Sequence, residues 1–557
     1  MLATMRIISV GLVLWCLSMS AFAAPNVAFY YGANPPWDAL KSFDVVVVEP
    51  DHAPDAARAS TSGMQVYAYL SVGEIEFERP YAKALPEGLV FGANKPWGSH
   101  VVDQAHAEWP AFFLDRIVAP LWNAGYRGFF LDTLDSFQLA AKNDEERARQ
   151  IQGLVTVIQA FRSRYPEAKL IFNRGFEVLP QLHMHAQAVA AESLFSGWDQ
   201  KNRKYTEVSE ADRTWLLQQL ERVRSEYGLP VIAIEYAAPE RRELARETAR
   251  RVAALGFVPW VTNADLDLIG VGNIEVVPDR VLMLYDGSGR DAQFYAYRIH
   301  QQAKLPFERL GYKVEYTDVS KPLPAYPLVG RYAGIVSWFS DDQAIHKPGV
   351  REWITRQREH GMRMAVLGSF PFPLTDSLAA RFGLRAGAPR APQAVRIEIR
   401  DPVMGQDAQG ETGFGLFTPL RADQALATLL RLRTDRGETR DAAALMPWGG
   451  YVLTPHESEP VPGAAGDRWL IEPVEFMQRA LALPPLPATG RVVPIAPASA
   501  QAQLTPGAKL LRGAAENSSL CRADRDGIPL IRANQSGVTR YGLKQNASER
   551  LSITCAS

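Results

Sequence analysis

Eight apolar runs, several with polar residues at or near their ends, succeed one another through the first half of this chain, with amphipathic stretches between them. They cover residues 26–32, 43–51, 65–74, 128–135, 169–177, 188–195, 230–237 and 258–267. A short continuous apolar run reads as a strand buried on both faces, which is the pattern of a parallel sheet covered by helices. Residues 109–122 place Phe112, Phe113, Ile117 and Leu121 at helical spacing, and residues 145–164 do the same with Ile151, Leu154, Ile158 and Phe161. Ser209 is an N-cap with acids in the turn that follows, and Pro239 is read as the first position of the next helix.

Eight strands alternating with helices over about 250 residues match one (β/α)8 TIM barrel. The rival is an open doubly wound sheet, which has fewer strands and a Gly-rich first turn for phosphates. Here the first turn runs Gly32-Ala-Asn-Pro-Pro-Trp37, without that loop. The expected fold class is therefore α/β, a barrel over residues 25–275.

A chain of 557 residues exceeds one core. From residue 277 the pattern restarts with strands at 280–287, 312–318, 332–340 and 362–368, and a helix with Tyr295, Tyr297, Ile299 and His300. This predicts a smaller flavodoxin-like α/β domain over 277–482. Its outline resembles the class I glutamine-amidotransferase fold, but the turn Gly368-Ser-Phe-Pro-Phe-Pro373 carries no Cys. A structural or interaction role is expected there. Residues 483–557 open with dense Pro, Ala and Gly and read as linker and poorly structured tail.

Residues 1–23 read as a secretory signal, with Arg6, an apolar stretch 7–17 and the small-residue site Ala21-Phe22-Ala23. Trp15 precedes Cys16 where an acylation signal takes a small residue, so Cys16 is read as discarded with the signal. No other stretch is apolar enough for a membrane span, so a periplasmic or secreted protein is expected rather than an integral membrane one. Sixty basic and 61 acidic residues leave no basic stripe for nucleic acid. Cys521 and Cys555 remain after the signal. They form either a disulfide in an oxidising compartment or an incidental pair, and without a neighbouring His they make no metal site.

Strand ends at one face of a barrel carry its chemistry. Asp132 closes the fourth run and Glu192 lies in the sixth, so both reach one layer of the interior. Two such carboxylates suit glycoside hydrolysis, one as nucleophile or base and one as proton donor. Each taken singly is more often a cap or an ion-pair partner. Asp135 caps the segment from Ser136 on that reading. Glu74, Glu76 and Glu78 form a solvated acidic loop, and Arg174 pairs with Glu235. Asn173 and Asn263 stand at further strand ends. Tyr31, Tyr69, Trp97, Trp198 and Tyr236 are candidate platforms for sugar faces, with Trp97 and Trp198 in polar loops. No cofactor is called for.

The strings AYLSVGE (68–74), GFFLDTLDS (128–136), IFNRG (171–175) and AESLF (191–195) together resemble glycoside hydrolase family 114, which includes endo-α-1,4-polygalactosaminidases and the PelA-like exopolysaccharide hydrolases. The resemblance runs from residue 25 to 267, and with the second domain to about 485. It implies internal cleavage of α-1,4-linked N-acetylgalactosamine or galactosamine polymers in polysaccharide biosynthesis or biofilm matrix processing. It also implies Asp132 as nucleophile and Glu192 as acid/base in a retaining mechanism, with export machinery as a possible partner. PelA-like proteins continue into a metal-dependent deacetylase domain. This chain lacks such His ligands, reads as truncated before it, and is expected to have no deacetylase activity. Two alternatives stay open: a polysaccharide-binding docking protein with a weak or closed site, and a metal-dependent lyase built on Glu74 and Glu76.

Overall fold

The computed structural model describes residues 25–53, 56–61, 63–288, 297–339, 348–371, 374, 376–388, 390–401, 410, 412–453, 472–484, 492–495, 519–523, 529–532 and 553–555. The proposed signal, residues 1–23, and Tyr295 lie outside them. Eight parallel strands follow one another around a barrel: β1 (Val27–Tyr30), β2 (Val45–Val48), β3 (Gln65–Ser71), β4 (Gly128–Asp132), β5 (Lys169–Asn173), β6 (Ala186–Glu192), β7 (Val231–Tyr236) and β8 (Val258–Thr262). Just past the ends of β1 and β8, the Tyr31 amide donates to the Leu266 carbonyl at 2.7 Å. The fold class is thus the (β/α)8 TIM barrel that the alternation predicts.

Burial explains the continuous apolar runs, since helices cover the outside and rings fill the inside. Phe29 of β1 meets Phe130 of β4 edge-on at 5.1 Å, and Tyr69 lies 6.3 Å from the same ring. Ala188 and Ala190 of β6 are small and buried beside this packing. Helix α1 (Asp144–Arg164) is capped by Asn143, whose side chain accepts from the Glu146 amide. Helix α2 (Glu210–Tyr227) is capped by Ser209 in the same way. The segment 109–122 is helical with a π turn over Phe113–Val118. Helix α3 (Arg242–Ala254) begins three residues beyond Pro239, so that proline precedes the helix rather than opening it.

The second sheet contains β9 (Arg280–Tyr285), β10 (Lys313–Asp318), β11 (Ile335–Phe339), β12 (Met364–Gly368), β13 (Arg390–Ile399), β14 (Thr412–Phe417), β15 (Ala427–Thr434), β16 (Thr439–Met446) and β17 (Gly449–Val452). Its parallel part runs β10-β9-β11-β12-β17, which is the flavodoxin-like order. Antiparallel strands β16, β15, β13 and β14 extend it. This extension goes beyond a plain flavodoxin-like domain. In β13, Val395, Ile397 and Ile399 alternate with Arg396 and Glu398, the signature of a half-exposed strand rather than of a buried run.

Part of the segment read as linker is built into the fold. Val492–Pro494 pairs antiparallel with Ile274–Val276. Ser519–Ala523 pairs with Pro529–Arg532 and with Ile553–Cys555, a register that sets Cys521 opposite Cys555. No helix among the described residues is long and apolar enough to cross a membrane.

Candidate active site

Strands β3 to β7 end at the same face, and their last inward residues form a hydrogen-bonded arc. The Asn173 side-chain nitrogen donates to Asp132 Oδ1 at 2.6 Å and to Glu192 Oε1 at 2.9 Å. Two bonds of those lengths from one atom hold the two oxygens within about 5.5 Å of each other, inside the range for a retaining pair. The Tyr69 hydroxyl donates to Asp132 Oδ2 at 3.0 Å, and the Tyr236 hydroxyl donates to Glu192 Oε2 at 2.6 Å. Every carboxylate oxygen of the pair therefore has a donor, while both residues keep partial exposure to the mouth.

The titration of this pair follows from burial. The Asp132 carboxyl is held well above the usual carboxylate range, first by desolvation and then by the charge of Glu192. Donation from Asn173, from the Thr133 backbone and from Tyr69 pulls the other way without reversing the shift. The Glu192 charge beside it makes loss of the Asp132 proton costlier still.

A backbone device recurs at these strand ends. The residue after each of Asp132, Asn173 and Glu192 has a positive φ: Thr133 at 62°, Arg174 at 54° and Ser193 at 64°. None is glycine, and each such residue costs about 1–3 kcal/mol. For Thr133 the surroundings offset that cost. Its hydroxyl donates to its neighbour's carbonyl at 2.6 Å, accepts from the Gly73 amide at 2.8 Å, and lies 2.8 Å from Ser71 Oγ. Turning sharply at once leaves the preceding side chain pointing along the barrel axis while the loop departs.

Other predicted site residues divide. Tyr31 is partly exposed, with its ring 5.2 Å from Tyr69. Arg174 donates to the Glu192 carbonyl at 3.2 Å and lies 4.0 Å from Asp135. Asp135 precedes Ser136–Leu139 without a side-chain capping bond, and burial raises its carboxyl. Trp97 stands 59% exposed, as its polar loop predicts. Trp198 is half-buried, bonded to Gln200 at 2.7 Å and 4.9 Å from the ring of Tyr205.

Three expectations need correction. Glu235 does not pair with Arg174 and does not face substrate. It is fully buried and accepts from the amides of Leu194, Phe195 and Ser196 at 2.7–3.3 Å, bracing the loop behind Glu192. Burial raises its carboxyl to about 7 against the pull of those amides. Glu74 is no solvated acid and no open ligand. It is buried, and accepts from Asn94 at 3.1 Å, from Ser136 at 2.5 Å and from Ser99. Glu76 of the same loop is tied to Arg79, which also holds Glu49 and Asp51, so the proposed metal site is a structural brace. Asn263 is buried and donates to Asp267 at 2.7 Å, at the strand β8 end of the rim.

The family model described as glycoside-hydrolase family GH114 matches residues 18–281. The glycoside hydrolase domain of PelA from Pseudomonas aeruginosa is 41% identical, over 44% of this chain and 98% of that one, with a TM-score of 0.41. A variant of that domain is 42% identical over the same shares, with a TM-score of 0.42. Ega3 from Aspergillus fumigatus, solved in complex with galactosamine, is 18% identical over 43% of this chain and 91% of that one, with a TM-score of 0.31. A search of curated proteins gave no match. With 41% identity spanning nearly the whole of a solved hydrolase domain, the chain belongs to glycoside-hydrolase family GH114 and is a glycosidase.

Proposed function

We propose that this glycosidase cuts α-1,4-linked galactosamine and N-acetylgalactosamine polymers internally, with retention, using Asp132 and Glu192. The carrying observation is the single Asn173 nitrogen bonded to both carboxylates, which fits a separation too short to admit an inverting water between them. Asp132 attacks the anomeric carbon while Glu192 gives its proton to the departing glycosidic oxygen. The glycosyl ester on Asp132 then yields to a water that Glu192 deprotonates, which returns the proton to Glu192. Tyr69 and Asn173 aim Asp132 and favour its ionised form against the burial that raises it, and Tyr236 fixes Glu192. The substrate class rests on the relatives, one a domain of PelA and one solved with galactosamine. With the N-terminal signal pattern, it fits an exported enzyme of exopolysaccharide processing.

The raised titration of Asp132 favours one second reading, in which the pair keeps its place but Asp132 is the acid and Glu192 the nucleophile. Incubation of the purified protein with partially N-acetylated α-1,4-galactosamine polymer, followed by mass analysis of the products, tests the activity. Internal cuts appear as a ladder of oligosaccharides, and an unchanged polymer refutes it. An activated substrate separates the two assignments. It needs no acid in the first step, so Glu192→Gln forms glycosyl-enzyme from it and Asp132→Asn does not; the reverse pattern exchanges the roles.

A further inference from the structure

The arc of side chains does not stop at the two carboxylates. Arg174, bonded to the Glu192 carbonyl, is followed two residues on by Phe176, whose ring meets Trp215 edge-on at 6.1 Å. Trp215 is 49% exposed, on the second turn of helix α2, which starts at the same face of the barrel. An open hollow runs beside it, lined by Glu210, Ala211, Thr214, Trp215 and Gln218. The inner residues of α2, namely Leu216, Leu220 and Val223, are buried, so packing against the barrel already fixes the helix without this tryptophan. A single exposed indole needs no explanation by itself; here it stands on Phe176 beside the hollow, with polar side chains around it. A broad apolar ring flanked by a carboxylate, a hydroxyl and an amide is the combination that a pyranose takes, its C–H face on the ring and its hydroxyls on the polar groups.

We propose that Trp215, seated on Phe176 and flanked by Glu210, Thr214 and Gln218, is a distal sugar-binding subsite that holds the polymer several residues away from the bond being cut. This rests on the reading of the enzyme as a polymer-cleaving glycosidase. The occupant is the same chain whose scissile bond lies at Asp132 and Glu192. The subsite continues the rim from Arg174 through Phe176, with Glu177 bonded to Gln138 at 2.6 Å along the same rim. An endo-acting enzyme gains from such a grip, because binding far from the reacting bond favours long chains over fragments.

The test compares Trp215→Ala, Trp215→Phe and the wild-type full chain on a long partially N-acetylated α-1,4-galactosamine polymer and on a trimer too short to bridge the two regions. Trp215→Ala is expected to raise KM for the polymer about five- to tenfold, with kcat and trimer cleavage unchanged and partial recovery in Trp215→Phe. Polymer binding, followed by affinity electrophoresis, should weaken in step. Equal loss on trimer and polymer means a structural role and overturns the subsite, as does unaltered polymer KM and binding. A changed sedimentation coefficient with unchanged polymer affinity assigns the face to a second copy instead. A wild type that binds polymer but does not cut it refutes the glycosidic reading alone, and the Trp215→Ala binding loss then still decides the subsite. A wild type that does neither refutes both.

Discussion

Parallel strands in the two large sheets of this chain end in the same way and do different things with it. In the barrel, Thr133, Arg174 and Ser193 take positive φ directly after Asp132, Asn173 and Glu192. In the second sheet, Gly368 takes φ 73° at the end of β12. Glycine is obligatory there for a packing reason as well, since a Cβ would stand 2.3 Å from the Phe339 carbonyl oxygen. The barrel turns instead accept larger residues at a conformational cost, and Thr133 uses its hydroxyl to bind β3 to β4. Strain that chain packing alone requires falls on glycine. Strain held by hydrogen bonds falls where side chains must be aimed.

The sharpest break in the comparison comes from the carboxylates. Glu192→Gln is expected to lower polymer turnover by about 10²–10⁴-fold, the range for loss of general acid–base catalysis. Asp132→Asn should fall at least as far, because an amide cannot form the glycosyl ester. Both variants should keep the wild-type melting temperature, since amide and carboxylate are nearly isosteric. Turnover of polymer by Asp132→Asn at the wild-type rate would remove the proposed mechanism.

Asn173→Ala comes next. It removes the one donor shared by both carboxylates, and a hydrogen bond to a charged group contributes about 1.5–3 kcal/mol. The expected loss in kcat is about 10- to 100-fold, measured on an activated substrate at saturation. A kcat within twofold of wild type would show that the shared nitrogen does not position the pair.

The turn residues give smaller, opposed effects. Gly368→Ala should cost about 1–3 kcal/mol from backbone strain alone, more with the clash at Phe339, and lower the thermal midpoint of the second sheet. Its kcat on a soluble oligosaccharide should not move. Thr133→Gly relieves strain of about 1–2 kcal/mol while losing the Ser71 and Gly73 contacts, so stability should change little. Its kcat should nonetheless drop by about tenfold. If Gly368→Ala harmed catalysis as much as Thr133→Gly, the two turns would not differ in kind.

Much of this was legible in the sequence. The run Gly128-Phe-Phe-Leu-Asp132 predicts a strand buried on both faces with its carboxylate at the mouth, because apolarity and position both appear in one string. The parallel strands around 280–285, 313–318, 335–339 and 364–368 were legible for the same reason, whereas the antiparallel extension was not. What the sequence hides is which partner a buried polar residue takes. Glu74 and Glu235 look like further mouth acids, yet Ser99, Ser136 and Asn94, or three successive amides from Leu194 to Ser196, absorb them. Those partners lie 20–62 residues away, and nothing local announces them. Asn173 appears in the sequence as a strand end, but its bridge between two carboxylates depends on strands β4 and β6 flanking β5. The Thr133 turn has no sequence signal, since threonine argues against positive φ. Trp215 reads as one helical residue among others until the fold sets it beside Phe176.

The smallest predicted effect tests how the mouth tunes its proton. Asp132 attacks only as a carboxylate, so the acid limb of kcat/KM marks its protonation. The Asp132 titration is raised by burial and by Glu192, and donation from the Tyr69 hydroxyl is among the contacts that lower it. Tyr69→Phe removes that donation while keeping the ring against Tyr31 and Phe130. The proton is then held more tightly, and the acid limb should move to higher pH. The sign carries into stability. A carboxyl raised above its unfolded value keeps its proton in the native state after the unfolded chain has lost it, so its contribution fades as pH rises through that window. Tyr69→Phe should therefore steepen the loss of stability between mildly acidic and neutral pH. Tyr451→Phe is the matched control, because the Tyr451 hydroxyl donates to the Asp441 carbonyl at 2.9 Å in the second sheet, away from any strand-end carboxylate pair. It should leave the kcat/KM profile in place. An acid limb that stays put or moves down in Tyr69→Phe would show that Asp132 is not the group whose proton sets it.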